Sequence, residues 1–465
     1  MDPRRTGATE KPRRDARTDV AADYAAAVLA SLGRPEATWP AARPRHPAIE
    51  WARSGAMALT GPAEGAPRLA PGPLAACARG ALLALRGLAG EDARLHLDAP
   101  ALLGERAAIS GSTRRGSVSP GGSCRLIRAA DGWIAVNLAR PEDVRALPAW
   151  LGEGDVREPW RFVVERVAEW TAHDVVERAR LLGLPAAVAM EPAPAAPPWF
   201  RIAACGPTRA RRADATPLVV DLASLWAGPL CTHLLGLAGA RVIKVESTRR
   251  PDGARSGPPA FFDLLNAGKE SVALDVSRPD GRAQLRRLVE RADIVVESAR
   301  PRALAQLGID AASLVGRVPG LTWVSITGYG REEPGANWVA FGDDAAIAAG
   351  LAAVAAPADD APLFCGDAIA DPLTGLHAAV AARAAFQDGG AKLLDLSLRD
   401  VVAHVLAFGG PQPAAAVRET RDGWEVVAGG ERAPVDPPRA RAVTAAARPL
   451  GADTDRVLGE RTGCC

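Results

Sequence analysis

Asp371 is the carboxylate best placed for chemistry in this chain. It directly precedes Pro372 and an apolar helical run from about Thr374 to Phe386. That puts it at a helix N-terminus, where the backbone dipole favours an anion and spare N–H groups can hold an oxyanion. Position alone gives it the commoner role at such a place, an N-cap. Asp343 and Asp344, in AFGDDAAIAAGL, stand before another Ala-rich run and read either as a solvated cap or as a secondary acid. His233 and His377 lie inside apolar helical runs and read as packed core residues rather than acid/base groups.

These residues need elements to hold them, and Pro217 to Glu246 is the clearest set. Leu218 to Leu222 is a short apolar run, Ala227-Gly228-Pro229 a turn, and Leu234, Leu235, Leu237 and Ala238 one face of a helix. Gly239 closes that helix and Val242 to Val245 begins a second strand. This is a βαβ unit suited to a nucleotide-like ligand, but its turn lacks the three spaced glycines of a dinucleotide fingerprint. Further segments follow at ordinary βαβ spacings: NAGKESVALDV, ADIVVESARPRALAQLGI, WVSITGYG and GDAIADPLTGLHAAVAA, with PPRAR and RPLGADTDRVL nearer the C-terminus.

In order and number these segments resemble the family III CoA-transferases, the group that includes formyl-CoA:oxalate and carnitine CoA-transferases and the α-methylacyl-CoA racemases. The resemblance implies an α/β fold: a Rossmann-like parallel-sheet domain plus a smaller α+β domain. It also implies that Asp371 is a covalent nucleophile forming an acyl-aspartyl anhydride and then an aspartyl-CoA thioester. Coenzyme A and acyl-CoA would be substrates, with no permanently bound cofactor and no metal. Leu225, Trp226 and Ala227 match positions lining the CoA path, and Lys269 matches a basic residue that meets its phosphates. Arg300 is a further candidate for phosphate pairing. Glu270 and Ser247 depart from the family pattern. Gly121 and Gly122, in GSTRRGSVSPGGSC, match a glycine-rich loop that closes over the aspartate. Asp343 falls where the racemases carry a histidine, which counts against racemisation.

The function expected is therefore CoA transfer between an acyl-CoA and a carboxylic acid. A 2-methylacyl-CoA racemase and a non-catalytic acyl-CoA-binding homologue are the alternatives. Family members form interlocked homodimers, so a homodimer is expected. The 465 residues carry a net charge of +2 and only four lysines, with no basic stripe for nucleic acid. No apolar run approaches the length of a membrane span, and seven cysteines without metal-ligand spacing fit a cytoplasmic protein.

Composition divides the chain. Residues 1–20 read as a disordered tail, 21–110 as a degenerate partial repeat of the large domain and 111–190 as the small domain with its glycine-rich loop. Residues 191–216 read as a Pro/Arg-rich linker, 217–410 as the Rossmann-like CoA-binding and catalytic domain, and 411–465 as a segment returning to it. The repeat rests on Trp51 to Pro100 paralleling Gly342 to Leu398: small residues, a loop, an Ala-rich helix, then a strand. Leu69 to Leu74 holds the place of Asp371 with no acid, so one catalytic centre is expected per chain.

Overall fold

In a computed structural model, residues 19–39, 43–90, 93–193, 195–212, 215–352, 361–410 and 412–460 are described. The expected tail, apart from Asp19 and Val20, lies outside the described residues, as does the Cys464–Cys465 pair. The first helix, Val20–Ser31, starts where Asp19 accepts the Ala21 N–H.

Three sheets organise the described residues. β1 (Cys124–Arg128), β2 (Trp133–Asn137) and β3 (Ala186–Val188) form an antiparallel sheet. The helices Pro159–Val167 and Ala172–Leu181 pack on it around Trp150, Phe162 and Val163. The main sheet is built from β4 (Arg201–Cys205), β5 (Leu218–Asp221), β6 (Arg241–Ser247), β7 (Glu270–Leu274), β8 (Ile294–Glu297), β9 (Thr322–Thr327) and β10 (Lys392–Ser397). Its order is β4-β10-β9-β8-β5-β6-β7, with every pairing parallel except β4 to β10. A last antiparallel meander, β11 (Ala415–Thr420), β12 (Gly423–Ala428) and β13 (Glu431–Pro434), lies within the 411–465 segment.

The α/β expectation holds. Strands β5, β8 and β9 are largely buried because helices cover both faces of a parallel sheet. From β5 the chain runs outward through β6 and β7, then returns to place β8, β9 and β10 on the other side. The gap between the carboxyl ends of β5 and β8 is the topological switch point, where such sheets bind ligands.

The 191–216 linker is corrected by this architecture. β4 lies inside it as the antiparallel edge of the main sheet, and Trp199 beside it is buried with its indole N–H on Ser31 Oγ at 3.0 Å. An edge strand that is mostly exposed carries no alternation of apolar and polar residues, so its sequence reads as loop. The repeat is corrected in one part as well: residues 93–98 form no strand. Leu95 is buried there, and the Arg94 N–H bonds Leu237 O at 2.9 Å. Among the described residues no strand pairs with that segment.

The two halves share one core. The helix Leu74–Ala89 packs against both Val20–Ser31 and Ala370–Gln387, and the last of these also packs on Ala227–Leu237. Close approach at two of these contacts needs glycine. A Cβ on Gly80 would stand 2.6 Å from Ala21 O, and one on Gly375 would stand 2.7 Å from Ala227 O. The C-terminal segment returns to the sheet edge, where Asp453 accepts the Ser271 N–H and Thr454 Oγ1 the Ala273 N–H.

Candidate active site

The helix that carries Asp371 runs Ala370–Gln387, about one turn longer at its start than the sequence suggests. Pro372 is tolerated there because first-turn N–H groups have no intrahelical partner. Asp371 sits inside that first turn and supplies no capping bond. The Ala227 N–H, at the start of the Ala227–Leu237 helix, instead favours the ionised form of the Asp371 carboxylate. Ala368 shapes the approach. It lies in the left-handed region (φ 44°), gives its N–H to Asp343 Oδ1 at 2.8 Å, and accepts the Asp371 N–H at 2.9 Å. A non-glycine residue held there stores about 1–3 kcal/mol that surrounding contacts must offset.

Those contacts come largely from the N-terminal half. Thr60 Oγ1 accepts the Gly366 N–H at 2.8 Å, and Gly116 O accepts the Phe364 N–H at 3.0 Å. Arg106, on the helix Glu105–Ser110, donates Nε and Nη2 to the two oxygens of Asp367 at 2.8 and 2.5 Å. Asp367 is 1% exposed, so this bidentate pair is largely desolvated.

A cavity of about 350 Å³ opens above the turn. Both halves line it: Arg106, Ser110, Ser112, Gly121, Ser123 and Asn137 from the first, Leu225, Trp226, Phe261, Gly342, Asp343 and Asp371 from the second. Trp226 stacks edge-on against Phe261, lies 5.4 Å under the Arg106 guanidinium, and has a buried indole N–H without a hydrogen-bond partner. Gly342 is pressed against the candidate nucleophile, since a Cβ there would stand 2.1 Å from Asp371 Oδ2 and 2.5 Å from Ala368 O.

Burial pushes Asp371 up to about 7; Arg106 opposes the rise, and the negative charges of Asp343 and Asp367 add to it. Asp343 rises to about 6 from burial and from Asp367. Asp344 rises to about 7, chiefly from burial. Burial alone would depress the Arg106 guanidinium, but Asp367 more than offsets it. The site is thus three carboxylates around one fixed cation.

Asp343 and Asp344 are not the solvated cap that the sequence allows. Asp344 does cap its helix, accepting the Phe341 N–H at 2.9 Å, but it is fully buried. Asp343 is 5% exposed and faces the cavity. Adjacent acids are read as surface by default, and only packing of the small domain over them removes the water. Leu225 and Trp226 line the cavity; Ala227 does not, its N–H being spent on Asp371. Leu225 has φ 69° and remains 40% exposed, held by its N–H to Asp252 Oδ1 at 2.9 Å. Asp252 is in turn paired with buried Lys244.

Lys269 is a correction. Its ammonium is buried among Asp221 Oδ2 (2.9 Å), Thr232 Oγ1 (2.8 Å), Pro229 O (3.0 Å) and Asn266 Oδ1 (3.0 Å). Three N–H donors already facing four protein oxygens leave none for a phosphate. Burial pulls Lys269 down to about 8, so it stays charged at neutral pH. Asp221, which burial would raise, is held below its usual range by Lys269 and Lys244. The departure at Glu270 has a local cause: its carboxylate pairs with Arg241.

Arg300 lies outside the cavity lining, exposed just past the carboxyl end of β8. Partial burial and the neighbouring Arg302, Arg140 and Arg250 push its guanidinium down, so the switch point carries a convergence of arginines. Ser298 Oγ accepts the Ser224 N–H at 3.0 Å, joining the two strand ends there. Gly121 stands over the Arg106–Asp367 pair, with a Cβ placed 3.2 Å from Arg106 Nη2. Gly122 has φ 83° and closes a turn through its N–H to Ser119 O at 2.8 Å. His377 is buried between Tyr24 and Leu373, and His233 meets Arg441. Among the described residues no group of three or more His, Cys, Asp or Glu could hold a metal ion, and no helix is long and apolar enough to cross a membrane.

Sequence reasoning missed Arg106, Asp367 and Gly342. The first two are 261 residues apart, and nothing local in LLGERAAISG distinguishes Arg106 from a solvated arginine.

Residues 217–435 match the family described as CoA-transferase family III. That match spans just under half of this chain. Succinate–glutarate CoA-transferase of Agrobacterium fabrum is 34% identical over 206 residues, covering 41% of this chain and 52% of that protein. Formyl-CoA:oxalate CoA-transferase of Escherichia coli is 30% identical over 202 residues, 40% of this chain and 49% of that one. A CAIB/BAIF family protein from Brucella suis, solved by crystallography, aligns at 31% identity over 46% of this chain and 65% of its own, with a TM-score of 0.41. The chain spans about half the length of the curated relatives it matches. Arg106, the Gly121–Gly122 loop and the rest of the N-terminal half fall outside the family III segment.

Proposed function

We propose that this protein is a CoA-transferase that passes CoA from an acyl-CoA to a carboxylic acid through Asp371. The observation that carries the reading is the state of that carboxylate. It is cavity-facing, free of any capping duty, favoured in its ionised form by the Ala227 N–H, and backed by a glycine that admits no side chain.

In the first step an Asp371 oxygen bonds to the thioester carbonyl carbon, the C–S bond breaks, and CoA thiolate leaves from an acyl-aspartyl anhydride. The thiolate then attacks the aspartyl carbonyl, releasing the donor's carboxylate and leaving an aspartyl-CoA thioester. The acceptor carboxylate attacks that thioester, expelling thiolate and forming a second anhydride. Thiolate finally attacks the acceptor's acyl carbon, giving the new acyl-CoA and restoring Asp371. Negative charge builds on the carbonyl oxygen in each addition, and Arg106 and the partnerless Trp226 N–H are the donors near enough in the cavity to meet it. Packing of the Gly121 loop over the site excludes water from the anhydrides. Arg300 and its neighbouring arginines at the β5/β8 switch point suit the phosphates of CoA.

The same reading expects a cytoplasmic homodimer. The paired helices Val20–Ser31 with Leu74–Ala89 and Ala227–Leu237 with Ala370–Gln387 support an internal duplication. Light scattering on the full chain tests the dimer, and a strict monomer would overturn it.

The test of function is intact mass after mixing the chain with short dicarboxylic, fatty and branched acyl-CoAs, quenching with hydroxylamine or borohydride, and comparing Asp371→Ala. A mass change on Asp371 that the substitution abolishes is expected. Exchange of the α-proton of a 2-methylacyl-CoA with solvent deuterium and no adduct would replace this reading with a racemase. Tight CoA binding with neither adduct nor exchange would replace it with a binding protein.

A further inference from the structure

We propose that Arg106, delivered by the N-terminal half, and its partner Asp367 form a positioning pair that governs the charge state of Asp371. Arg106 lines the same cavity as Asp371 while Asp367, outside the lining, holds its guanidinium, and among the described residues no ion pair joins Arg106 directly to Asp371. Arg106 therefore acts across space rather than by contact, while Asp367 spends part of its positive charge. Two observations show that the arrangement is built rather than incidental. Asp367 belongs to the turn that ends at Asp371, and the N-terminal half clamps that turn at Phe364, Gly366 and Asp367. A Cβ on Gly121 would stand 3.2 Å from Arg106 Nη2, so the glycine-rich loop closes on the guanidinium where a side chain would press against it.

Beside burial, which contributes most, the main groups acting on Asp371 come from four elements. From the turn comes Asp367, from the Glu105–Ser110 helix Arg106, from the Gly342–Ala348 helix Asp343, and from the Ala227–Leu237 helix only a backbone N–H. Asp344 bears on Asp343 from behind. One cation against two flanking carboxylates keeps Asp371 near the point where a small change in charge decides whether it is protonated. Removing the cation and removing its partner must then act in opposite directions. Loss of Arg106 makes Asp371 harder to ionise; loss of the Asp367 charge makes it easier.

The consequence for catalysis rests on the proposed role of Asp371, but the charge inference is tested without substrate. The full chain labelled with [4-13C]aspartate is titrated by NMR, the Asp371 signal being assigned by difference with Asp371→Asn. Arg106→Gln is expected to move its midpoint to higher pH by about one unit, Asp367→Asn to move it to lower pH, and Arg106→Lys to return it toward the parent value. A midpoint that stays fixed, or that moves the same way in Arg106→Gln and Asp367→Asn, overturns the proposal. If Arg106→Gln does not fold, the downward shift in Asp367→Asn decides alone. Absence of an Asp371 adduct with every acyl-CoA would refute the transferase reading and leave this titration intact. Adduct formation whose pH midpoint ignores both substitutions would refute the pair and leave the transferase reading intact.

Discussion

Replacing Gly342 by alanine tests whether Asp371 must occupy its observed position. The new methyl carbon would lie 2.1 Å from Asp371 Oδ2 and 2.5 Å from Ala368 O. An ordinary carbon–oxygen approach is about 3.3 Å or more, so the carboxylate must retreat by roughly 1.2 Å or the turn must yield. Backbone at Ala368 is already in a strained conformation and tied to Asp343, which leaves the carboxylate as the softer part. A misplacement of about 1 Å at a reacting group costs on the order of 100-fold in rate. Overpacking costs about 1–3 kcal/mol of stability. The assay is the rate of adduct formation on Asp371 with the donor that the mass experiment identifies, read beside a denaturant melt. A rate within about threefold of the parent in a folded Gly342→Ala protein would refute the reasoning, because the close approach would then be irrelevant to reactivity.

Other outcomes follow from the same geometry. Lys269→Met removes the cation paired directly with buried Asp221 and is expected to cost about 3–5 kcal/mol in urea unfolding; an unchanged midpoint would mean that the cluster does not stabilise the fold. Asp343, Asp344 and Asp371 are raised to about 6, 7 and 7, against about 3.9 unfolded. The stability they contribute is full below about pH 4 and is lost as pH rises through about 6 to 7. Melts should therefore show a smaller fall over that window in Asp343→Asn and Asp371→Asn than in the parent. Arg300→Ala is expected to weaken CoA binding by about tenfold at low salt while sparing a pantetheine thioester that lacks the nucleotide, which calorimetry would read directly.

What local pattern determines was legible. The βαβ unit from Pro217 follows from apolar runs, a small-residue turn and Gly239, and β5 and β6 stand within a residue or two of those runs. Asp371 was legible as an acid at a helix start because Pro372 marks the first turn. Its freedom from capping was not, because that depends on the Ala227 N–H from another helix. Lys269 shows the converse: a lysine after a glycine in a loop looks exposed, and only packing of the Ala227–Leu237 helix over β5 surrounds it with four oxygens. β4 escaped notice because an exposed edge needs no periodicity.

The sequence by itself determined the βαβ unit from Pro217 and the acid at the head of the long helix, because hydrophobic period and turn residues act over a few positions. Tertiary structure alone decided the electrostatics of the site. Arg106 meets Asp367 across 261 residues, and the burial that raises Asp343, Asp344 and Asp371 exists only once the N-terminal half closes over the turn. Charge, distance and the removal of water are properties of the assembled cavity, and no local stretch of chain encodes them.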